Sequence, residues 1–282
     1  MNSKLSLLAA SLVLVLAAPS AQSFGRLGDA EGLLKFGERA AKANQEITQE
    51  EEIELGRGIA ANVLGAAPLV RDEQLQRYVN QVGLWLAMQT ERPDLPWRFG
   101  VIDSSDVNAF ALPGGTVLIT AGLYDRLRDE AELASVLGHE IAHVVQKHQV
   151  KAIKKAMGRE FATEIAGEVA GQSDNELVRR FGDKAFKAGT EILARGLDKQ
   201  DEYDADQRGM VIAARAGYNP FGLAGVLQTL DSASASDKSV ALLFSTHPTP
   251  ASRLERLEAG VGERLDAYAG APAPGRLYRP KK

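Results

Sequence analysis

The stretch Asp129-Glu-Ala-Glu-Leu-Ala-Ser-Val-Leu-Gly138-His139-Glu140-Ile141-Ala142-His143, running on through Val144-Val145-Gln146-Lys147-His148-Gln149, decides how the chain is read. Glu132, Leu133, Val136 and Leu137 form an apolar stripe with an acidic N-terminal end, which predicts one buried helix over about 129–149. Residues four apart share a helix face, so His139 and His143 aim both imidazoles the same way. That is half of a metal site. Neutral imidazole is a good zinc ligand, and a glutamate directly after the first histidine can reach the metal's water as a general base. A His-Glu-x-x-His match on a solvated polar helix is commonly accidental. Here the wildcards are Ile141 and Ala142 and two valines follow, so the motif sits in an interior helix.

Composition sets the frame around it. The chain has 282 residues, 45% hydrophobic and 25% charged, enough for one good core. Lys4, the apolar run Leu5–Ala18 and the small residues to Ala21 read as an export signal over 1–21. The run is shorter than the roughly 20 residues a bilayer requires, which argues against an uncleaved anchor. Losing that segment removes one lysine and no acid, leaving 32 basic against 37 acidic side chains, a net charge of −5. No basic face points to nucleic acid. With no cysteine, disulfides, thiolate ligands and a lipidated cysteine are excluded. No later run reaches transmembrane length, so a soluble exported form in the periplasm or outside the cell is expected.

Residues 22–47 read as a loosely packed helical lead-in. Thr48 with Glu51 three residues on makes a capping box that opens a helix ending near Gly65. Val70–Met88 is a second amphipathic helix. After Pro93 and Pro96, a strand begins at Trp97, and Asn108-Ala109-Phe110-Ala111-Leu112 runs as a strand into the turn Pro113-Gly114-Gly115, returning over Thr116–Thr120. This small sheet is either an ordinary hairpin or an edge, at Asn108, Ala109 and Phe110, to which an extended substrate adds as a strand. The Gly-interrupted stretch 149–197 has the composition of a mobile cover. The acidic run Asp198 to Asp206 opens another helix, His247-Pro248-Thr249-Pro250 opens the last, and the Pro-rich tail within 259–282 reads as disordered.

A catalytic zinc needs a third protein ligand, here His148, His247 or a carboxylate. His148 lies about 500° of helix rotation past His143, off the ligand face, as a supporting or surface histidine. Glu202 and Asp206 are four apart, so one can bind metal while the other orients a ligand or handles a proton. Spacing does not separate Glu202 from Asp198, Asp201 or Asp206.

Together, His139-Glu140-Ile-Ala-His143, Glu202-Tyr-Asp-Ala-Asp206, Asn108-Ala-Phe-Ala-Leu-Pro-Gly-Gly and Ser245-Thr-His247-Pro resemble the CAAX-prenyl-endopeptidase and HtpX-like zinc metallopeptidases, in look nearest their periplasmic, BepA-like quality-control members. The resemblance covers about Thr48 to Leu257. It implies an α+β, mostly helical, gluzincin-like fold over 48–258 with a small sheet beside the metal helix. It also implies one zinc per chain on His139, His143 and Glu202, with Glu140 as general base and Asp206 as proton donor. His247 would lie near the metal as a fourth ligand or transition-state donor, with Arg253 close by. Prenyl endopeptidases and HtpX-like members are multi-pass membrane proteins, unlike this chain, which argues against prenylated substrates. BepA-like members carry a helical-repeat domain after the catalytic part, whereas only residues 259–282 follow here.

The reading is an exported zinc metalloendopeptidase that cleaves unfolded or misassembled envelope proteins. Its rival is a latent zinc-containing holdase that binds such proteins and cleaves little. The two differ in whether His247 can leave the metal's open position.

Overall fold

A computed structural model describes residues 47–164, 189, 191–233, 237–269 and 277–280. The expected signal segment, all of the lead-in except Ile47, and residues 165–188 and 190 of the expected cover lie outside the described residues.

The first helix, α1 (Gln49–Ala66), starts as its capping box dictates: Glu51 N–H donates to Thr48 Oγ1 at 3.3 Å and Thr48 N–H to Glu51 Oε2 at 2.8 Å. The second, α2 (Glu73–Ala87), is capped by Asp72 and buries Leu75, Val79, Val82 and Leu86 at helical spacing. Strands β1 (Arg98–Ile102), β2 (Ala109–Leu112) and β3 (Thr116–Thr120) form one sheet in the order β1-β3-β2. The β2–β3 hairpin is antiparallel, as its turn residues foretell, with Gly114 and Gly115 at φ 76° and 100°. The β1–β3 pairing is parallel, which periodicity alone does not reveal.

The two outer strands are treated differently. On β1, Gln76 of α2 accepts from Val101 N–H and donates to Val101 O, each at 2.9 Å, and Asn80 accepts from Phe99 N–H at 3.0 Å. Side chains thus cap the β1 edge. Strand β2 has no strand on its outer side among the described residues, and that edge faces the metal-motif helix.

After a short turn of helix, α3 (Ala121–Tyr124), comes α4 (Glu130–Val145), whose N-cap Asp129 accepts from Glu132 N–H at 2.9 Å. Every residue from Ala131 to Val144 is buried, so the motif helix is the core of the molecule. The single helix expected over 129–149 is in fact two. Gln146 ends α4, Lys147 adopts φ 57°, and α5 (His148–Glu164) leaves in a new direction. The break at Lys147 removes the rotation argument about His148.

Helix α6 (Lys199–Arg215) packs along α4, and glycines set the spacing. A Cβ on Gly209 would stand 2.7 Å from His139 N, and one on Gly138 2.9 Å from Gly209 O. Since Glu202, Asp206 and Gly209 are spaced i, i+4, i+7, this close approach holds the acidic stripe against both histidines. Helices α7 (Gly222–Asp231), α8 (Ala241–Thr246) and α9 (Pro250–Val261) close the remaining side.

The expected disordered tail departs from that reading in two places. Leu265, in a 3₁₀ turn over Gly262–Tyr268, is buried. Leu277 is buried against the main core, Tyr278 donates to Asp72 Oδ2 at 3.2 Å, and Arg279 bonds Leu127 O. An aromatic and an arginine among the prolines supply anchors that composition averages away. No helix among the described residues is long and apolar enough to cross a membrane.

Candidate metal centre

His139 and His143 emerge from adjacent turns of α4 with their Nε2 atoms 3.1 Å apart and the rings edge-to-face. Glu202, from the first turn of α6, reaches them: Oε1 is 3.5 Å from His143 Nε2 and Oε2 is 3.7 Å from His139 Nε2. One ligand atom from each of the three lies within 4.8 Å of the others, and all three side chains are buried. Of the four acids that spacing left open, only Glu202 joins this group. Asp198 is the N-cap residue of α6 and pairs with Lys155 at 2.9 Å; Asp201 lies 3.5 Å from His148 Nε2.

The donor set fits a divalent cation. Glu202 Oε2 is buried with no hydrogen-bond partner, an arrangement that is costly unless a positive charge answers it. Burial pushes the Glu202 carboxyl up to about 7, against the opposing pull of His139 and Arg253. Burial likewise lowers His143, as do the neighbouring His139 and His148. His139 is raised instead: burial and Arg253 act to lower it, but Asp206 and Glu140 outweigh them, so a cation bound here displaces a proton from His139 and meets His143 already neutral.

Each histidine is held from behind. His139 Nδ1 is 2.8 Å from Asp206 Oδ1, and Asp206 is clamped by Arg253, whose Nε donates to Oδ2 at 2.9 Å while its Nη2 donates to Oδ1. Asp206 and Arg253 are buried. Burial alone would raise the Asp206 carboxyl, but the Arg253 guanidinium and His139 hold it well below the usual range. Both Asp206 oxygens are engaged, the acid is held ionised, and it faces Nδ1 rather than the Nε2 side where a metal would sit. His143 is held by His148, their Nδ1 atoms 2.9 Å apart, and His148 is 1% exposed. His148 is therefore a supporting histidine rather than a surface one, set beside His143 across the break at Lys147.

Glu140 is buried beside His139, and burial raises its carboxyl although His139, Arg253 and a backbone hydrogen bond from Ala111 of β2 act the other way. His247, the C-cap of α8, places Nε2 3.5 Å from Glu202 Oε2, and its ring centroid lies 6.0 Å from that of His139. Burial, with the charges of Arg253 and His139, lowers it to about 3, so it is neutral. Arg253, expected nearby, spends its donors on Asp206. Ala109 and Phe110 lie on the β2 edge, and Asn108, directly before it, is 1% exposed with Oδ1 unpaired.

Sequence comparison agrees with this geometry. A family model, that of peptidase family M48, matches residues 73–261. The chain is 29% identical over 207 residues to the beta-barrel assembly-enhancing protease of Escherichia coli K12, covering 72% of this chain and 42% of that protein. It is 27% identical over 188 residues to the mitochondrial metalloendopeptidase OMA1 of Schizosaccharomyces pombe, with 66% and 53% covered, and 27% over 162 residues to metalloprotease LoiP of Escherichia coli K12, with 57% and 62% covered. The chain thus spans less than half the length of the beta-barrel assembly-enhancing protease it matches. With the matched segment taking in more than half of the sequence and all of the buried histidine and carboxylate cluster, the chain belongs to peptidase family M48.

Proposed function

We propose that the chain is a zinc-dependent metalloendopeptidase that acts on unfolded or misassembled proteins of the cell envelope. The observation that carries this reading is the buried, unpartnered Glu202 Oε2 set between two imidazoles, with the Glu140 carboxyl on the same helix. Two histidines and a carboxylate favour zinc among divalent ions, and three protein ligands leave a position open. The names of the relatives, a beta-barrel assembly-enhancing protease and a mitochondrial metalloendopeptidase, support peptide-bond cleavage and, in the first case, an envelope setting.

His139, His143 and Glu202 would hold the ion, which when bound supplies Lewis-acid polarisation of the scissile carbonyl and of the attacking water. Glu140 takes the water's proton and returns it to the departing amine. Burial raises that carboxyl above its ordinary value, which strengthens it as a base. Asp206 and His148 keep the imidazoles in the binding orientation, and Arg253 keeps Asp206 ionised. The outer edge of β2 receives the substrate as an added strand.

His247 supports a second reading, the latent holdase. Its neutral imidazole lies 3.5 Å from Glu202, close enough to compete with substrate for the open position. Chelation separates the two. If the chain is a peptidase, removing metal abolishes cleavage of denatured casein and stoichiometric zinc restores it. Zinc that binds without restoring any cleavage favours the holdase.

A further inference from the structure

Glu52, in the first turn of α1, takes no part in the proposed chemistry, yet its side chain is 1% exposed and both oxygens are engaged. Arg92, between α2 and β1, meets it as a fork: Nη1 donates to Oε1 at 3.0 Å and Nη2 to Oε2 at 2.8 Å. Gly114 N–H, in the β2–β3 turn, donates to Oε1 at 3.1 Å, and Lys147 Nζ lies 3.8 Å from Oε2. The same Arg92 Nη1 also donates to Val144 O, at 3.1 Å. Were α4 to run on, Val144 O would accept from His148 N–H, four residues later. Instead it accepts from Lys147 N–H at 3.0 Å, a tightened last turn, and from the guanidinium. A side chain inserted into the hydrogen-bond ladder is one of the few causes of a sharp break in a helix. The break is not free, because Lys147 carries a Cβ and sits at φ 57°.

Across the break, His148 sets Nδ1 2.9 Å from His143 Nδ1 and Nε2 3.5 Å from Asp201 Oδ1. That arrangement fixes the protons. With Nε2 of His143 turned to a metal, its proton is on Nδ1, His148 accepts it on Nδ1, and the His148 Nε2–H points at Asp201. Resting on the zinc reading of this centre, we infer that Glu52 and Arg92 are positioning residues for the metal ligand His143. The buried pair holds the helix broken at Lys147, and the break holds His148 behind the His143 imidazole. A carboxylate 91 residues before His143 thereby acts on the metal centre without touching it.

A double-mutant cycle read by zinc affinity tests this, using competition against a chromophoric chelator and, in parallel, the visible spectrum of the cobalt-loaded chain. His148→Ala removes the support and should weaken zinc binding about 10–100-fold. Arg92→Gln should weaken it by a comparable factor when His148 is present, and by less than about 2-fold in the His148→Ala background, because the pair acts through His148. The cobalt bands of Arg92→Gln should shift as those of His148→Ala do. Arg92→Lys keeps a cation on Glu52 but loses the fork, so it should fall between wild type and Arg92→Gln in zinc affinity. The same cycle run with Arg92→Lys stands whether or not Arg92→Gln folds. Equal losses in both backgrounds, or an unchanged zinc affinity and cobalt spectrum with only a lower melting temperature, make the pair a structural ion pair and overturn the inference while leaving the metal centre standing. A wild-type chain that takes up no zinc overturns the metal reading, and the inference with it.

Discussion

Asp206→Asn probes whether the carboxylate orients His139 or carries a proton. In the structure it receives the two Arg253 donors and faces His139 Nδ1 at 2.8 Å. An asparagine keeps one acceptor for the imidazole but turns an amide toward a guanidinium that is 5% exposed. Removing one partner of a buried ion pair costs about 3–5 kcal/mol, which at about 2–4 °C per kcal/mol for a chain of this size lowers the melting temperature by roughly 10 °C. Loss of an orienting carboxylate behind a metal-binding histidine weakens metal affinity about 10–100-fold. Both effects are read on the same sample, by thermal melting and by competition against a chromophoric zinc chelator. Asp206→Asn with Arg253→Gln should recover part of the stability, because no unanswered charge remains buried, without recovering the zinc affinity. Unchanged zinc affinity and melting temperature, with kcat reduced and one limb of the pH–rate profile lost, would refute the orienting role and return Asp206 to proton transfer.

Three other outcomes follow from the geometry. His247→Ala should raise casein cleavage several-fold by clearing the position beside Glu202, and a loss of cleavage with zinc retained would make His247 a transition-state donor instead. Gly209→Ala places a Cβ against the His139 backbone, so α6 must move off α4; stability should fall by about 1–3 kcal/mol and zinc affinity with it, whereas an unchanged affinity would show that the approach does not set the Glu202 position. In chelated protein, burial raises Glu202 from 4.5 to about 7, so its contribution to stability is fully present below about pH 4.5 and is lost as pH rises through 7. The metal-free stability should therefore drop across that window by about 3 kcal/mol, read as a falling melting temperature, and Glu202→Gln should flatten the drop.

Much of the site was legible because helical periodicity carries it. His139, His143 and Glu140 needed only a four-residue repeat in an apolar setting, and the Thr48–Glu51 box marks a helix start by local hydrogen bonding alone. The choice of Glu202 among four acids was not legible from spacing, since it depends on how α6 lies on α4, which Gly138 and Gly209 decide by backbone contact. The same holds for Asp206: its charge is set by Arg253, 47 residues away, and no pattern within α6 distinguishes an orienting carboxylate from a donor. His148 was left open between a supporting and a surface place for a different reason. Lys147 is a non-glycine residue in the left-handed region, a break that nothing in the apolar pattern announces. Parallel pairing of β1 with β3 and the anchoring of the tail by Leu277 and Tyr278 are likewise long-range contacts, invisible to a window that sees only neighbours.

In the proposed function, one zinc held by His139, His143 and Glu202 works with Glu140 as base to cut peptide bonds. Zinc content measured together with casein cleavage, for the wild-type chain and Glu140→Gln, tests it most directly. The account predicts one zinc per chain in both proteins, with cleavage in the wild type and a loss of several orders of magnitude in the variant. Retained proteolysis in Glu140→Gln, or a zinc-loaded wild type that cuts nothing, would contradict it.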